Sequence, residues 1–292
     1  MAVARTGAIL PNGNFKPQLF STKLLVKYFS AFVVPHISNH DYDGEISRIG
    51  DKVTIRKRPD ITIYDGTVNG ALQVQNALAD DVVTLDITTR KYFNVPIDDI
   101  DIYQSDLALM SMLEDQAALA LGQEVEQDVL QSIYTSATST VTATNVTAAT
   151  ILAEILEAEL YMNQLNVPND GRRFLVINPK MAYLLAQSDL KAAYLTGETG
   201  TPLRDGAAKV IDRPIAGFNR VYISNNLSVG AAGICHAIAG HMDALCFAAQ
   251  INNTEVLRSE TAFADLLRGQ IVYGYKVVKP EALVHIDVQS YA

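Results

Sequence analysis

The stretch that decides the fold is SDLALMSMLEDQAALALGQEVEQDVLQSIY, residues 105–134. Ser105 has the chemistry of an N-cap, and Asp106 puts a negative charge in the first turn, where a helix favours one. Met110, Leu113, Ala117, Leu121, Val125, Val129 and Ile133 then recur at helical spacing. At 1.5 Å per residue the predicted helix is roughly 45 Å long, where helices of globular domains average about 11–12 residues. Glu114, Glu124 and Asp128 fall off the apolar stripe. The helix is therefore predicted to carry an acidic face directed away from its packed side.

That face belongs to a wider charge asymmetry. The 292 residues carry a formal charge of −9, but residues 1–60 hold nine Lys/Arg against five Asp/Glu. Between Lys91 and Arg172 there is no basic residue and there are thirteen acids, nine of them from Asp98 to Asp128. Such a surface repels nucleic acid rather than binding it. No run of eighteen apolar residues is present, so no membrane-spanning helix is expected. Met1 to Pro11 lacks the apolar core of a secretory signal, and two cysteines are too few for a disulfide framework. Synthesis in the cytoplasm is the expectation.

Upstream of the helix, residues 1 to about 20 read as an extended arm. Val53 and Ile55 then alternate with Thr54, Arg56 and Arg58, and Val83, Leu85 and Ile87 alternate with Thr84, Asp86 and Thr88. The polar middle, with Asp65-Gly66 and Asn69-Gly70, predicts one long projecting β-hairpin. An isolated ribbon is marginal in water, so this one is expected to lie on a neighbouring subunit.

Downstream, residues 136–150 are rich in Ser, Thr and Ala and read as a linker. A helix is expected from Thr147 to Leu165, packing through Ile151, Ile155 and Leu160, then a buried strand Phe174–Ile177 and a helix from Pro179 to Leu185. A flexible loop at 197–206 and short strands at 210–211 and 221–223 follow. Residues 233–249 are expected to form a hairpin turning near Gly240-His241, and the C-terminus returns to strand alternation around Ile271, Tyr273, Leu283 and Val288.

Arm, long hairpin, very long helix, Ser/Thr-rich stretch, α/β unit and returning strands occur in an order that resembles the Hong Kong 97-type capsid fold of tailed bacteriophages. The phrases that carry it are Gly50-Asp51-Lys52-Val53-Thr54-Ile55, Asn166-Val167-Pro168 with Gly171-Arg172, and Asn178-Pro179. Ala239-Gly240-His241-Met242-Asp243-Ala244, Tyr273-Gly274-Tyr275 and Pro280-Glu281-Ala282-Leu283-Val284 complete the set. The resemblance implies an α+β chain with an N-arm (1–50), an E-loop (51–95), a peripheral or P-domain containing the spine helix (96–140 and 255–292) and an axial or A-domain (141–254).

It further implies a major capsid protein, without cofactor or catalysis, made in the host cytoplasm and resident in the virion. Its partners would be itself, in pentamers and hexamers of an icosahedral head, with a portal and a separate scaffolding protein. DNA would be enclosed without specific binding, and Glu114, Glu124 and Asp128 would line the lumen. Arg56, Lys57 and Arg58 are expected to pair with carboxylates such as Asp80 and Asp81 of a neighbour. Lys52 and Lys57 lie at the base of the loop rather than its tip, so no Lys–Asn cross-link is expected. Two other functions stand beside this one: an encapsulin-type shell whose lumen holds a cargo enzyme, and a small α/β enzyme.

Catalytic constellations are missing: there is no G-x-S-x-G, H-E-x-x-H or G-x-G-x-x-G. Asn39 to Ile46 imitates the first eight positions of a calcium loop, but position twelve, a bidentate Glu in that loop, is Gly50. A turn is the better reading. Cys235, His236, His241 and Cys246 suggest zinc, yet adjacent strand residues point to opposite faces, so Cys235 and His236 cannot share an ion. The expected hairpin would make Cys235 and Cys246 cross-strand neighbours, and two buried thiols are expected there rather than a disulfide.

Overall fold

The computed structural model describes residues 32–40, 52–56, 61, 63–66, 68, 70, 82–99, 109–144, 146–188, 210–211, 215–230 and 234–289. Among these residues the chain builds a two-stranded ribbon, a three-stranded sheet and a six-stranded sheet. The ribbon pairs β1 (Lys52–Arg56) with β2 (Val82–Asp86), antiparallel, with Val53 opposite Leu85 and Ile55 opposite Val83. Alternation does the sorting: Val53 and Ile55 are buried while Lys52, Thr54 and Arg56 are exposed. The cross-strand pair Lys52–Asp86 is also an ion pair, at 3.1 Å.

The three-stranded sheet orders β3 (Thr89–Asp98), β10 (Ala264–Val277) and β9 (Leu245–Arg258). One of its faces receives α2 (Leu109–Leu130), which comes after the one-turn α1 (Val34–Ile37) and at 22 residues spans about 33 Å. The expected helix reached Tyr134, but it ends four residues sooner. The Ser132 hydroxyl lies 2.9 and 3.0 Å from the Asp128 and Val129 carbonyls, competing with the backbone ladder, and 2.7 Å from the Tyr275 hydroxyl. Ile133–Ser136 then forms a 3-10 turn, and Ile133 stays buried. The start of the expected helix, residues 105–108, lies outside the described residues, as do the loop at 197–206 and most of the calcium-like stretch.

The six-stranded sheet runs β4 (Ser139–Thr144), β11 (Leu283–Gln289), β8 (Ile234–His241), β5 (Arg173–Ile177), β7 (Arg220–Ile223), β6 (Val210–Ile211). All five residues of β5 are buried. Helix α3 (Ile151–Gln164) covers the sheet through Ile151, Ile155, Ala158 and Met162. Leu160, expected on that stripe, is 52% exposed: after Ile155 the stripe continues through Ala158 and Met162, two positions to either side of it. Asn178 caps α4 (Pro179–Gln187), its side chain accepting the Met181 N–H at 2.7 Å. Arg173, 2% exposed, holds the α3–β5 turn: Nε donates to Pro168 O at 3.1 Å, and Nη2 to Asn163 Oδ1 at 2.8 Å and to Val167 O.

Two expectations are corrected. The Ser/Thr-rich stretch is no linker over 139–144: Val141 and Ala143 are buried, and it pairs parallel to β11 as the edge of the six-stranded sheet. Alternating Thr residues suit an edge strand as well as a linker, and β-branching favours the strand. Residues 233–249 are not a hairpin either. Gly240 and His241 are still strand, paired to β11 and β5. The turn is the 3-10 segment Met242–Ala244, which carries the chain out of one sheet and into the other. The division between 141–254 and 255–292 falls within β9 (Leu245–Arg258). Strand β9 begins at Leu245 in the three-stranded sheet, and β11, with β4 before it, belongs to the six-stranded one.

Candidate functional site

The chemistry-bearing surfaces lie on the ribbon, on the sheet beneath it and along α2. The ribbon stem rests on its own chain, not on a neighbour: Val53, Ile55 and Leu85 pack with Cys246, Ala248 and Val278 from the β9–β10 end. The approach is so close that a Cβ on Gly274 would stand 2.4 Å from the Asp86 carbonyl oxygen. Gly274 and Ala248 share a sheet face with Gln270 and Tyr92, by alternation and register. The stem thus covers one half of that face and leaves the other half open.

The open half is a hollow of about 390 Å³ lined by Arg90, Tyr92, Asn94, Glu255, Arg268 and Gln270. A bulge between Arg268 and Gln270 interrupts the ladder here. Arg268 Nε donates to Glu255 Oε1 at 2.9 Å, and the Arg90 guanidinium sits 5.8 Å from the Tyr92 ring centre. Tyr92 is 71% exposed, and Gln270 Oε1 is buried with no hydrogen-bond partner.

Among the described residues beyond the stem, the apolar side chains of the ribbon are exposed. Ile63 and Val68 are 91% and 94% exposed, and Ile61 and Tyr64 are exposed as well. Of the residues expected to make contacts between subunits, Arg56 is exposed at the end of β1. Lys57, Arg58, Asp80 and Asp81 lie outside the described residues.

Of the three off-stripe acids of α2, Asp128 alone turns toward a packed side. Asp128 faces the three-stranded sheet, where Oδ2 accepts the Tyr273 hydroxyl at 2.7 Å. Burial, then that bond, push the Tyr273 phenol well above its ordinary range. Glu124, exposed, reaches Lys91 on β3 at 4.0 Å. Glu114 is exposed.

Glu126, unmarked in the sequence reading, is 1% exposed. Its carboxylate accepts the Val33 N–H at 2.8 Å, the Ser224 hydroxyl at 3.0 Å and the Asn226 amide at 3.2 Å. One turn earlier, Gly122 admits the Phe32 ring, which a Cβ would meet at 2.7 Å. A glycine inside a long helix costs about 1 kcal/mol against alanine. That glycine was the available signal that a second element docks on this face.

Among the described residues no His/Cys/Asp/Glu group has a metal-binding arrangement. The four suspected zinc ligands are separated. His241 Nε2 pairs with Asp170 at 3.0 Å, which holds the Asp170 carboxyl below its usual range. His236 faces His285. Cys235 stands opposite Val288 and Cys246 opposite Lys276, in different sheets, so the two thiols are not cross-strand neighbours. Both are buried and not joined in a disulfide, and burial pushes the Cys235 thiol up to about 12.

Among the described residues the arrangement consists of surfaces that close on themselves or stay open. Comparison with solved structures places it. A structure from Mycobacterium phage Che8 matches with a TM-score of 0.80 and 28% identity, over 94% of this chain and 97% of that one. The capsid structure of the cyanophage P-SCSP1u matches with a TM-score of 0.73 and 16% identity, over 95% and 94%. The capsid of an empty GTA particle gives a TM-score of 0.62 at 13% identity, over 93% and 94%. No curated relative matches the sequence. The model of the phage capsid protein family matches residues 82–286. A match over that much of the chain, on a fold shared with phage capsids, identifies it as a member of the phage capsid protein family, a structural protein of the phage head.

Proposed function

We propose that this chain is the major capsid subunit of an icosahedral head, and that copies join by the distal ribbon of one lying on the open sheet face of the next. In this reading residues 51–88, up to the start of β3, are the E-loop and the N-terminal fifty residues the N-arm. Helix α2 with β3, β9 and β10 forms the P-domain, and the six-stranded sheet with α3 and α4 forms the A-domain. The observation that carries it is the contrast along one ribbon: Val53 and Ile55 are 7% and 6% exposed at the stem, while Ile63 and Val68 are 91% and 94% exposed beyond it. Exposed apolar residues grouped in this way mark an interaction surface. The hollow lined by Arg90, Tyr92 and Arg268 offers apolar area and two guanidinium groups to a loop that carries Ile61, Ile63 and Asp65.

Packaged DNA is enclosed rather than bound, because the helical region from 98 to 128 carries acids and no bases. Glu114 and Glu124, the exposed acids of α2, are assigned to the lumen, whereas Asp128 is engaged by Tyr273. Synthesis is in the host cytoplasm, and a portal and a separate scaffolding protein complete the assembly. Light scattering after size-exclusion chromatography, followed by electron microscopy, tests the assembly. Shells with nuclease-protected DNA in infected cells are the expected result. A monodisperse monomer under every assembly condition, or shells filled with a cargo enzyme, would overturn it.

A further inference from the structure

His236 and His285 face one another on the six-stranded sheet, with His236 Nδ1 2.9 Å from His285 Nε2. The register of β8 against β11 sets His236 opposite Asp287 and His285 opposite Ile238, which brings both rings and the carboxylate onto one face. Tyr134, in the 3-10 turn that follows α2, lies flat on His236, with ring centres 4.3 Å apart and planes within 2°. It also leans over His285 at 5.0 Å. Asp287 Oδ1 stands 4.0 Å from His236 Nδ1 and is buried without a hydrogen-bond partner.

Among the described residues, β4 and the segment before β8 bring no further charge to the pair. Strand β4 sets Thr140 beside His285 and Thr142 beside Asp287. The segment Ser228–Gly230 contributes a backbone acceptor to the His236 N–H at 3.1 Å and a glycine whose Cβ would lie 3.1 Å from His236 Nε2. Cys235 points to the opposite face, where burial keeps its thiol protonated.

An N···N contact of this length is a hydrogen bond only while one nitrogen bears a proton and the other a lone pair. The neutral pair meets that condition. So does the pair with one added proton, whose charge then lies against the Tyr134 ring and 4.0 Å from the Asp287 carboxylate. A second added proton sets N–H against N–H and two cations on touching rings. We propose that Tyr134, His236 and His285 form a proton-sensitive latch that pins the end of the long helix to β8 and β11 and opens when both imidazoles are protonated. The latch goes beyond the assembly reading and does not rest on it, since every contact lies within one chain.

The direction of its pH dependence follows from the same contacts. Burial, and then the charge on His236, lower the pKa of His285. Below about pH 6.5, the ordinary histidine value, the unfolded chain therefore binds more protons than the folded one. The stability contributed by the latch is present in full above about pH 6.5 and is lost as pH falls toward the lowered value.

Hydrogen–deuterium exchange of the full chain at pH 7.5 and 5.0, with labelling times scaled for intrinsic exchange, reads this directly. Wild-type peptides covering 131–137, 234–241 and 283–289 are expected to lose about tenfold in protection on acidification, while 151–164 does not. His285→Gln and His236→Gln each remove the doubly charged contact and are expected to abolish the difference. An unchanged wild type, or the same loss in both variants, would overturn the latch. A second readout needs no variant: exchange at the imidazole C2–H of wild-type protein reports the midpoint of each histidine. A His285 midpoint at or above the ordinary value overturns the proposal whatever the variants do.

Discussion

Glu126, in the middle of the long helix, accepts the backbone N–H of Val33 at 2.8 Å across ninety-three residues of sequence. The same carboxylate takes Ser224 and Asn226, so one side chain ties the N-terminal segment, the helix and the edge of the six-stranded sheet together. Glu126→Ala leaves these donors buried without an acceptor, at about 1–3 kcal/mol for each group left unsatisfied. The variant is expected to lose roughly 2–5 kcal/mol of subunit stability. Glu126→Gln keeps one acceptor oxygen and is expected to lose less. Denaturant unfolding of the unassembled subunit checks the order, and an alanine variant as stable as the glutamine variant would contradict it.

Gly274 is where the ribbon meets the sheet most closely. A Cβ there would lie 2.4 Å from the Asp86 carbonyl oxygen and 3.1 Å from Ile87 Cα, both backbone atoms that cannot rotate aside. Gly274→Ala is expected to lift the stem and cost about 1–3 kcal/mol, seen as faster proteolysis within residues 57–81. Gly66→Ala is the control: nothing lies within 4 Å of its added carbon. Equal cleavage rates in the two variants would show that the stem is not seated as described.

What could be read from sequence, and what could not, divides along the number of partners each element has. The ribbon stem and β5 each bury a simple pattern, alternation at Val53 and Ile55 and continuity from Phe174 to Ile177, and both patterns are visible in one dimension. Helix α2 packs on three sides: Asp128 and Glu124 toward the three-stranded sheet, Gly122 and Glu126 toward the N-terminal segment, Val129 and Leu130 toward the main core. A single apolar stripe presupposes one packed face, so Asp128, off that stripe, meets the three-stranded sheet through Tyr273 without any sign of it in the pattern. Strand β4 failed for another reason. Its parallel partner β11 lies about 140 residues away, with no local turn to announce it. Gly240-His241 has turn composition, yet the sheet on both sides holds it extended.

Cys235 and Cys246 give a chemical check on the sheet exchange that replaced the hairpin. Burial pushes the Cys235 thiol up to about 12, and both side chains are only 2% exposed. Thiolate, not thiol, attacks disulfide reagents. Neither cysteine is expected to react with an aromatic disulfide reagent at pH 8 in the native chain, and both should react after denaturation. Mild oxidation should give no intramolecular disulfide, because the two lie in different sheets. An oxidised native species with shifted mobility on a non-reducing gel would restore the hairpin pairing.

The distal ribbon separates stability from assembly. Ile55 and Ile63 are eight positions apart on one ribbon, but the first packs on Cys246 and Ala248 while the second is 91% exposed. Ile55→Asp puts a charge into that packing and is expected to destabilise the isolated subunit by several kcal/mol, on the order of 3. Ile63→Asp removes no contact within the chain, and exposed substitutions of this kind usually stay within about 0.5 kcal/mol. Its cost should appear only where a second copy covers the loop. The expected result is a subunit with wild-type melting temperature that forms few or no shells by electron microscopy. Arg90→Glu with Arg268→Glu, in the hollow assigned to receive that loop, should give the same separation. Normal shell yield from Ile63→Asp would move the contact elsewhere on the ribbon, because a charge cannot be buried in an apolar contact without a partner and leave assembly unchanged.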